Sequence, residues 1–353
     1  MKVVLTSPIT PISSRMASHR GAQGVIYASM LQELGHDVTV NFNGSIGDLN
    51  QFDAVCAYHG NDWFGGLNIF GGVQGFGSAD NVRDFSRYKG RVYSLAIEFP
   101  KYHEMFEDRI RRAQEKGTPV LQEFLDTDWE NFKRIQQSAP VIKYPIVHDK
   151  VVIGDSHAIS MYRPGWTVNS VPFKTLHGAL KTGLSGFIED IRSMREVDSV
   201  ECYFGNIDIR HHVCRLPGDF RDNTRELALK YIQAVEELPI KNVSIYELLP
   251  IEDESRKLPK TGYYEKKPFW GSWEQRNEAR LIFRDILEEH ATRANIIRWT
   301  DYLLNDAGQL SFECMEKPRS VHLSRKSYLH WTGVELQPRI DDHPNLETFL
   351  DDV

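Results

Sequence analysis

The sequence predicts two α/β domains, residues 1–146 and 147–353, each organised on a parallel sheet. Three observations carry this reading. Strand-like and helix-like segments alternate through the first 146 residues, the pattern that builds a doubly wound sheet. The alternation restarts at Val151 after a break near 140–150. A chain of 353 residues is also long for one domain and comfortable for two.

In the first half, Lys2–Thr6 reads as an opening strand; its apolar run is too short for a signal peptide. An amphipathic run over Val25–Leu34 ends at Gly35-His36, and Asp37–Val40 is the next strand. Phe52–Tyr58 and Gly90–Ile97 follow as strands. A charged helix over Lys101–Lys116 mixes Arg109, Arg111 and Arg112 with Glu104, Glu107, Asp108 and Glu115, as a solvated face does. Thr118–Leu121 is a further strand, then a helix from Trp129 to about Gln137 precedes Val141–Tyr144. No Gly-x-Gly-x-x-Gly follows the first strand, so a dinucleotide fingerprint is missing and the half is Rossmann-like in pattern only. Just past the third strand lies a glycine-rich aromatic loop containing Asn61, Trp63, Gly65, Gly66, Asn68 and Phe70. Either its backbone approaches a ligand while an aromatic ring stacks on it, or the rings pack under their own loop.

In the second half, Lys150–Ile153 is a β-branched run ending in Gly154-Asp155-Ser156-His157. Gly165–Asn169 is a turn and a strand, Leu176–Leu180 begins a helix, and Gly183–Met194 is amphipathic. Ser199–Phe204 is a strand, and Cys202–Arg210 reads as a strand breaking at Gly205. Asn223–Glu237 is a helix with Thr224 as its cap and Leu227, Tyr231, Ala234, Val235 and Leu238 on one face. Lys241–Leu248 is a strand, Asp253–Trp270 a long surface loop or lid, Trp273–His290 a helix and Ile296–Trp299 a short strand.

Composition narrows the function classes. A hydrophobic fraction of 41% with 26% charged residues supports an ordinary packed core. Cys56, Cys202, Cys214 and Cys314 show no metal-binding or disulfide spacing, which suits buried thiols in a cytoplasmic protein. No stretch approaches the length of a membrane span. A formal charge of −7 gives no global pull on nucleic acid, so DNA contact would need a local basic patch. His211-His212 lacks carboxylate or histidine partners at ligand spacing, and neighbours on a strand face opposite ways, so no metal is expected.

A strand ending in Gly-Asp-Ser delivers one hydroxyl to the carboxyl edge of a sheet, where open α/β folds place their ligands. The hydroxyl needs a base and oxyanion donors to act as a nucleophile; otherwise Ser156 is a turn or capping serine. Gly205-Asn206-Ile207-Asp208-Ile209-Arg210-His211-His212 and Ser320-Val321-His322-Leu323-Ser324 are the two later segments able to supply them. In order and spacing these three blocks resemble the SGNH (GDSL-like) hydrolase superfamily over about residues 147–335. The resemblance implies a flavodoxin-like domain and a serine esterase or O-acyltransferase needing no cofactor. It implies Ser156 as nucleophile and His322 as base, with Gly205, Asn206, Asp208, Arg210 and His211 in the oxyanion or pocket region.

The sequence departs from that family at two points. The carboxylate expected three residues before the histidine is replaced by Arg319. His322 is then oriented by a backbone carbonyl, by a carboxylate such as Glu316, or not at all, leaving an active Ser–His dyad, a slow acyltransferase or a binding site. The usual oxyanion asparagine is Ile207, so the amides of Ser156 and Gly205 are the expected donors, with Gly178 a further candidate. Asp208 and Arg210 are expected to pair and hold the loop. The first half resembles the N-terminal domain of phage DNA β-glucosyltransferases through Gln32–Val38, Asn68–Gly72 and Phe85–Tyr93. That likeness implies the alternative function: a DNA-base-modifying transferase or a nucleic-acid- or nucleotide-sugar-binding protein, in which the second domain acts on a modified base. The substrate expected otherwise is an acylated sugar or similar polar ester.

Overall fold

A computed structural model describes residues 1–6, 27–40, 48–58, 87–95, 111, 115, 130–131, 134, 140–142, 144–171, 174–254, 269–299, 301–315 and 321–323. The chain forms two compact units that change over between Ile146 and Val147. The expected strand at Thr118–Leu121, the glycine-rich loop, most of the Asp253–Trp270 segment and residues 336–353 lie outside the described residues.

The first unit holds β1 (Lys2–Thr6), β2 (Asp37–Val40), β3 (Ala54–Tyr58), β4 (Arg91–Leu95) and β5 (Val141–Ile142). All pairings are parallel, in the order β2-β1-β3-β4-β5. β1 is an interior strand, and its Val3, Val4 and Leu5 are all buried, as a strand covered on both faces requires. β2 is an edge strand and alternates instead, burying Val38 and Val40 while Asp37 and Thr39 face water. Ala28 and Leu31, from the helical segment 27–33, pack on this sheet beside Ala54, Cys56 and Leu95. Arg111 and Glu115 form an exposed i,i+4 pair, in keeping with a solvated helix face there.

The second unit holds β6 (Lys150–Gly154), β7 (Thr167–Ser170), β8 (Ser199–Tyr203), β9 (Asn242–Tyr246) and β10 (Asn295–Ile297). These too are parallel, in the order β10-β9-β8-β6-β7. Counted within its own sheet, this is the 2-1-3-4-5 order of flavodoxin-like folds, and the first unit shares it. In that order the chain's direction of winding reverses between the first and third strands, and a crevice opens at their carboxyl ends. Here those strands are β6 and β8, whose ends meet at Gly154 and Tyr203.

Gly154 is fixed by this meeting. A Cβ there would stand 2.3 Å from the Tyr203 carbonyl oxygen and 2.6 Å from Ala158 Cβ. Both obstacles belong to tightly held backbone or its first side-chain atom, so neither can swing away. Gly154→Ala is therefore expected to cost at least the 1–3 kcal/mol typical of overpacking, about that range or above in a urea melt. A variant as stable as the parent would show that the two strands can part freely.

The helix Phe220–Glu236 corrects one expectation. Its cap is Asp219, whose carboxylate accepts from the Arg221 N–H at 2.8 Å, and not Thr224. Thr224 lies a full turn inside, buried, with its hydroxyl donating back to the Phe220 carbonyl at 2.6 Å. Tyr231, Val235 and Leu238 are buried on the predicted face. Trp273–His290 starts at a reciprocal capping box between Ser272 and Gln275. Among the described residues no helix is long and apolar enough to cross a membrane.

Candidate active site

Ser156 follows β6 directly and opens the short 3-10 helix Ser156–Met161. The Asp155 N–H donates to the Tyr203 carbonyl at 3.1 Å, and the Ser170 hydroxyl donates to the Asp155 carbonyl at 2.8 Å. These bonds pin the strand end from both neighbours, so the serine backbone has little freedom. Its Oγ lies 2.9 Å from Nε2 of His322. Both side chains are half-buried, reachable by a ligand yet partly withdrawn from water.

His322 is 166 residues away and comes from a short stretch held by its neighbours. Leu323 forms an antiparallel bridge with Met315 and is buried among Met161, Leu303, Leu310 and Cys314. Glu316 and Arg319, the residues weighed for orienting the imidazole, lie outside the described residues.

His157, next to Ser156, is buried and contacts both the Asp155 side chain and the Val321 backbone. Its Nδ1 lies 2.8 Å from an Asp155 carboxylate oxygen, which also accepts the His157 backbone N–H at 2.8 Å. Its Nε2 lies 3.1 Å from the Val321 carbonyl oxygen. Its ring is 4.7 Å, centroid to centroid, from that of His322. Burial lowers the proton affinity of this imidazole, and the adjacent Asp155 carboxylate opposes the effect. Both contacts are hydrogen bonds only when the Asp155–His157 pair carries one proton more than a neutral ring beside a carboxylate.

β8 ends at Tyr203, and the chain breaks at Gly205 as the sequence predicts. Gly205 has φ +117°, in the region that favours glycine, and Asn206–His211 is helical. Two expectations change with it. Asp208 and Arg210 do not pair, because residues two apart on a helix point roughly 200° away from each other. Asp208 instead accepts the backbone N–H groups of Leu176 and His177 at 2.6 and 3.1 Å, at the start of the helix Leu176–Thr182. Arg210 donates from Nε to both carboxylate oxygens of Glu252, at 2.9 and 2.7 Å, with both side chains buried. The His211-His212 argument from strand geometry also lapses: His211 is buried and stacks on Phe269, while His212 contacts Arg215. Asn206 is buried beside Tyr203. The Gly178 N–H donates to the Thr175 hydroxyl at 3.0 Å, so it is occupied as a cap and is not a free oxyanion donor. Among the described residues, no group of three or more His, Cys, Asp and Glu side chains is placed to hold a metal ion. All six loop residues from Asn61 to Phe70 lie outside the described residues.

Burial raises the Asp208 carboxyl to about 7 from an ordinary 3.8, despite the two N–H donors that favour its ionised form. A carboxyl raised on folding binds its proton more tightly in the native state. Its contribution to stability is therefore full below about pH 4 and is lost as pH rises towards 7. Unfolding free energy between these values is expected to fall with a slope approaching about 1.4 kcal/mol per pH unit from this group. Asp208→Asn removes that component; an unchanged pH profile in the variant would assign the slope elsewhere.

No protein-family model matches the chain, and no curated protein matches it. Solved structures do. A candidate platelet activating factor from Streptococcus pneumonia is similar at 16% identity and TM-score 0.36, over 72% of this chain and 98% of that one. An acetyl xylan esterase is similar at 15% identity and TM-score 0.33, over 53% of this chain and 100% of that one. A carbohydrate acetylesterase from Sinorhizobium meliloti is similar at 13% identity and TM-score 0.32, over 52% of this chain and 94% of that one.

Sequence reasoning did not assign a role to His157 or Glu252. The first was in plain view within Gly154–His157, and its position beside Ser156 was the available signal. Glu252 gave none: it lies 42 residues from Arg210, outside any helix or strand.

Proposed function

We propose that the second unit is a serine esterase or O-acyltransferase of the SGNH hydrolase type. The observation that carries the reading is the 2.9 Å contact between Ser156 Oγ and His322 Nε2. It lies at the carboxyl edge of β6, beside the strand reversal. Neutral His322 accepts the serine proton as Oγ attacks an ester carbonyl, and the backbone amides of Ser156 and Gly205 receive the oxyanion. His322 then returns the proton to the departing alkoxide. Water, or a second hydroxyl in the transferase case, resolves the acyl-serine by the same base in reverse. This chemistry calls for no cofactor. The substrate class is an O-acylated sugar or a similar polar ester.

Labelling with a fluorophosphonate tests the reading directly. One adduct per chain, mapped by mass spectrometry to the peptide bearing Ser156, is the expected result. Absence of an adduct, or one on another serine, overturns it. Release of acetate from O-acetylated sugars, compared with p-nitrophenyl acetate, then decides the substrate class.

A further inference from the structure

The base of this site stands on a three-residue stretch, Val321–Leu323, that must hold an imidazole at hydrogen-bond distance, 2.9 Å, from a serine. The Met315–Leu323 bridge and burial of the Leu323 side chain fix one end. The other end meets His157 at the Val321 carbonyl. The His157 ring is itself held by Asp155, which belongs to the strand end pinned to β7 and β8. With the extra proton on the Asp155–His157 pair, a continuous path of hydrogen bonds runs from the sheet, through Asp155 and His157, to the residue preceding the base.

We propose that His157 is a positioning residue: its Nε2–H, donated to the Val321 carbonyl, latches the His322 segment to the nucleophile strand. The proposal rests on the esterase reading for its catalytic consequence but not for its structural one. The latch places His322 through its backbone, a route that does not depend on which residue stands three positions before it. It also explains a buried histidine beside the serine: the ring faces Asp155, Val321, His322 and the edge of Tyr203, with the Arg210 charge close enough to be felt. A purely space-filling role would need neither nitrogen aimed at an oxygen.

Two isosteric substitutions separate the contacts. Glutamine places its amide nitrogen where Nε2 stands and keeps a donor for Val321, whereas asparagine reaches only the Nδ1 position. His157→Asn is expected to lower kcat about tenfold to a hundredfold, the scale of one charge-assisted hydrogen bond, with KM little changed. His157→Gln is expected to stay within a few-fold of the parent. Hydrogen–deuterium exchange is the second readout and needs no activity: amides of 321–323 should exchange faster in the asparagine variant and not in the glutamine variant. Equal behaviour of the two variants, or unchanged exchange at 321–323 in His157→Asn, overturns the proposal. Should the asparagine variant not fold, the ring nitrogen shifts of the parent decide: an unprotonated Nε2 in His157 rules the latch out. If the parent takes no fluorophosphonate but the exchange difference is present, the latch stands and the esterase reading falls.

Discussion

Ser156→Ala is expected to abolish both fluorophosphonate labelling and p-nitrophenyl acetate turnover, with kcat/KM down by about 10⁴-fold or more. The size follows from what the substitution takes away. A covalent route through an acyl-serine needs the oxygen itself, and no described nucleophile is shown in its place. What remains is the background from oxyanion donors and binding, which in triad enzymes stays about 10³–10⁴ above water. His322→Gln is expected to fall nearly as far, because on the esterase reading Ser156 and His322 act as one unit and removing either removes the pair. The double variant should lose little more than either single one. Additive losses would mean that the 2.9 Å contact is incidental to turnover. Full turnover in Ser156→Ala would remove the esterase reading outright. Ser156 is half-buried and the substitution removes a single hydroxyl, so the variant should stay folded with a melting temperature close to the parent's.

The parts of this protein that could be read from the sequence are those governed by short-range patterns. The runs at Lys2–Thr6 and Asp37–Val40 coincide with β1 and β2, since β-branched and apolar residues bounded by turn residues leave little choice. The strand geometry assumed at His211-His212 failed because Gly205 has already turned the chain into a helix, and a run this short cannot separate a period of 2 from one of 3.6. At Phe220–Glu236 two candidate caps compete, and the aspartate after Gly218 takes the position while Thr224 is drawn into the helix. The site was less legible. Ser156 and His322 are joined only by tertiary structure, so a resemblance of three blocks, and no local pattern, linked them. The partner of Arg210 depended on which way a six-residue helix points its side chains, which the sequence does not state.

Glu252→Leu is expected to be the most destabilising single change in the second unit, at about 3–5 kcal/mol, the cost of leaving a buried charge without its partner. Arg210 and Glu252 are each 1% exposed, and the two remaining guanidinium nitrogens of Arg210 are buried without a hydrogen-bond partner among the described residues. The carboxylate also acts on a second buried arginine. Arg276 feels the attraction of Glu252 and the repulsion of Arg210, and its own ion-pair partner, Glu254, is largely exposed at 3.3 Å. Removing Glu252 therefore leaves two like charges facing each other in a poorly solvated interior. Removing Arg210 instead leaves a carboxylate that still has Arg276 nearby. The two halves of one salt bridge should thus be unequal: Arg210→Met costs less than Glu252→Leu. The double variant should cost less than Glu252→Leu alone, because it removes the charges that need solvating. Urea unfolding of the four proteins closes the cycle. Equal single-variant losses would show that Arg276 takes no share of the Glu252 carboxylate. A loss below about 1 kcal/mol in Glu252→Leu would show that water reaches this pair and screens it as at a surface.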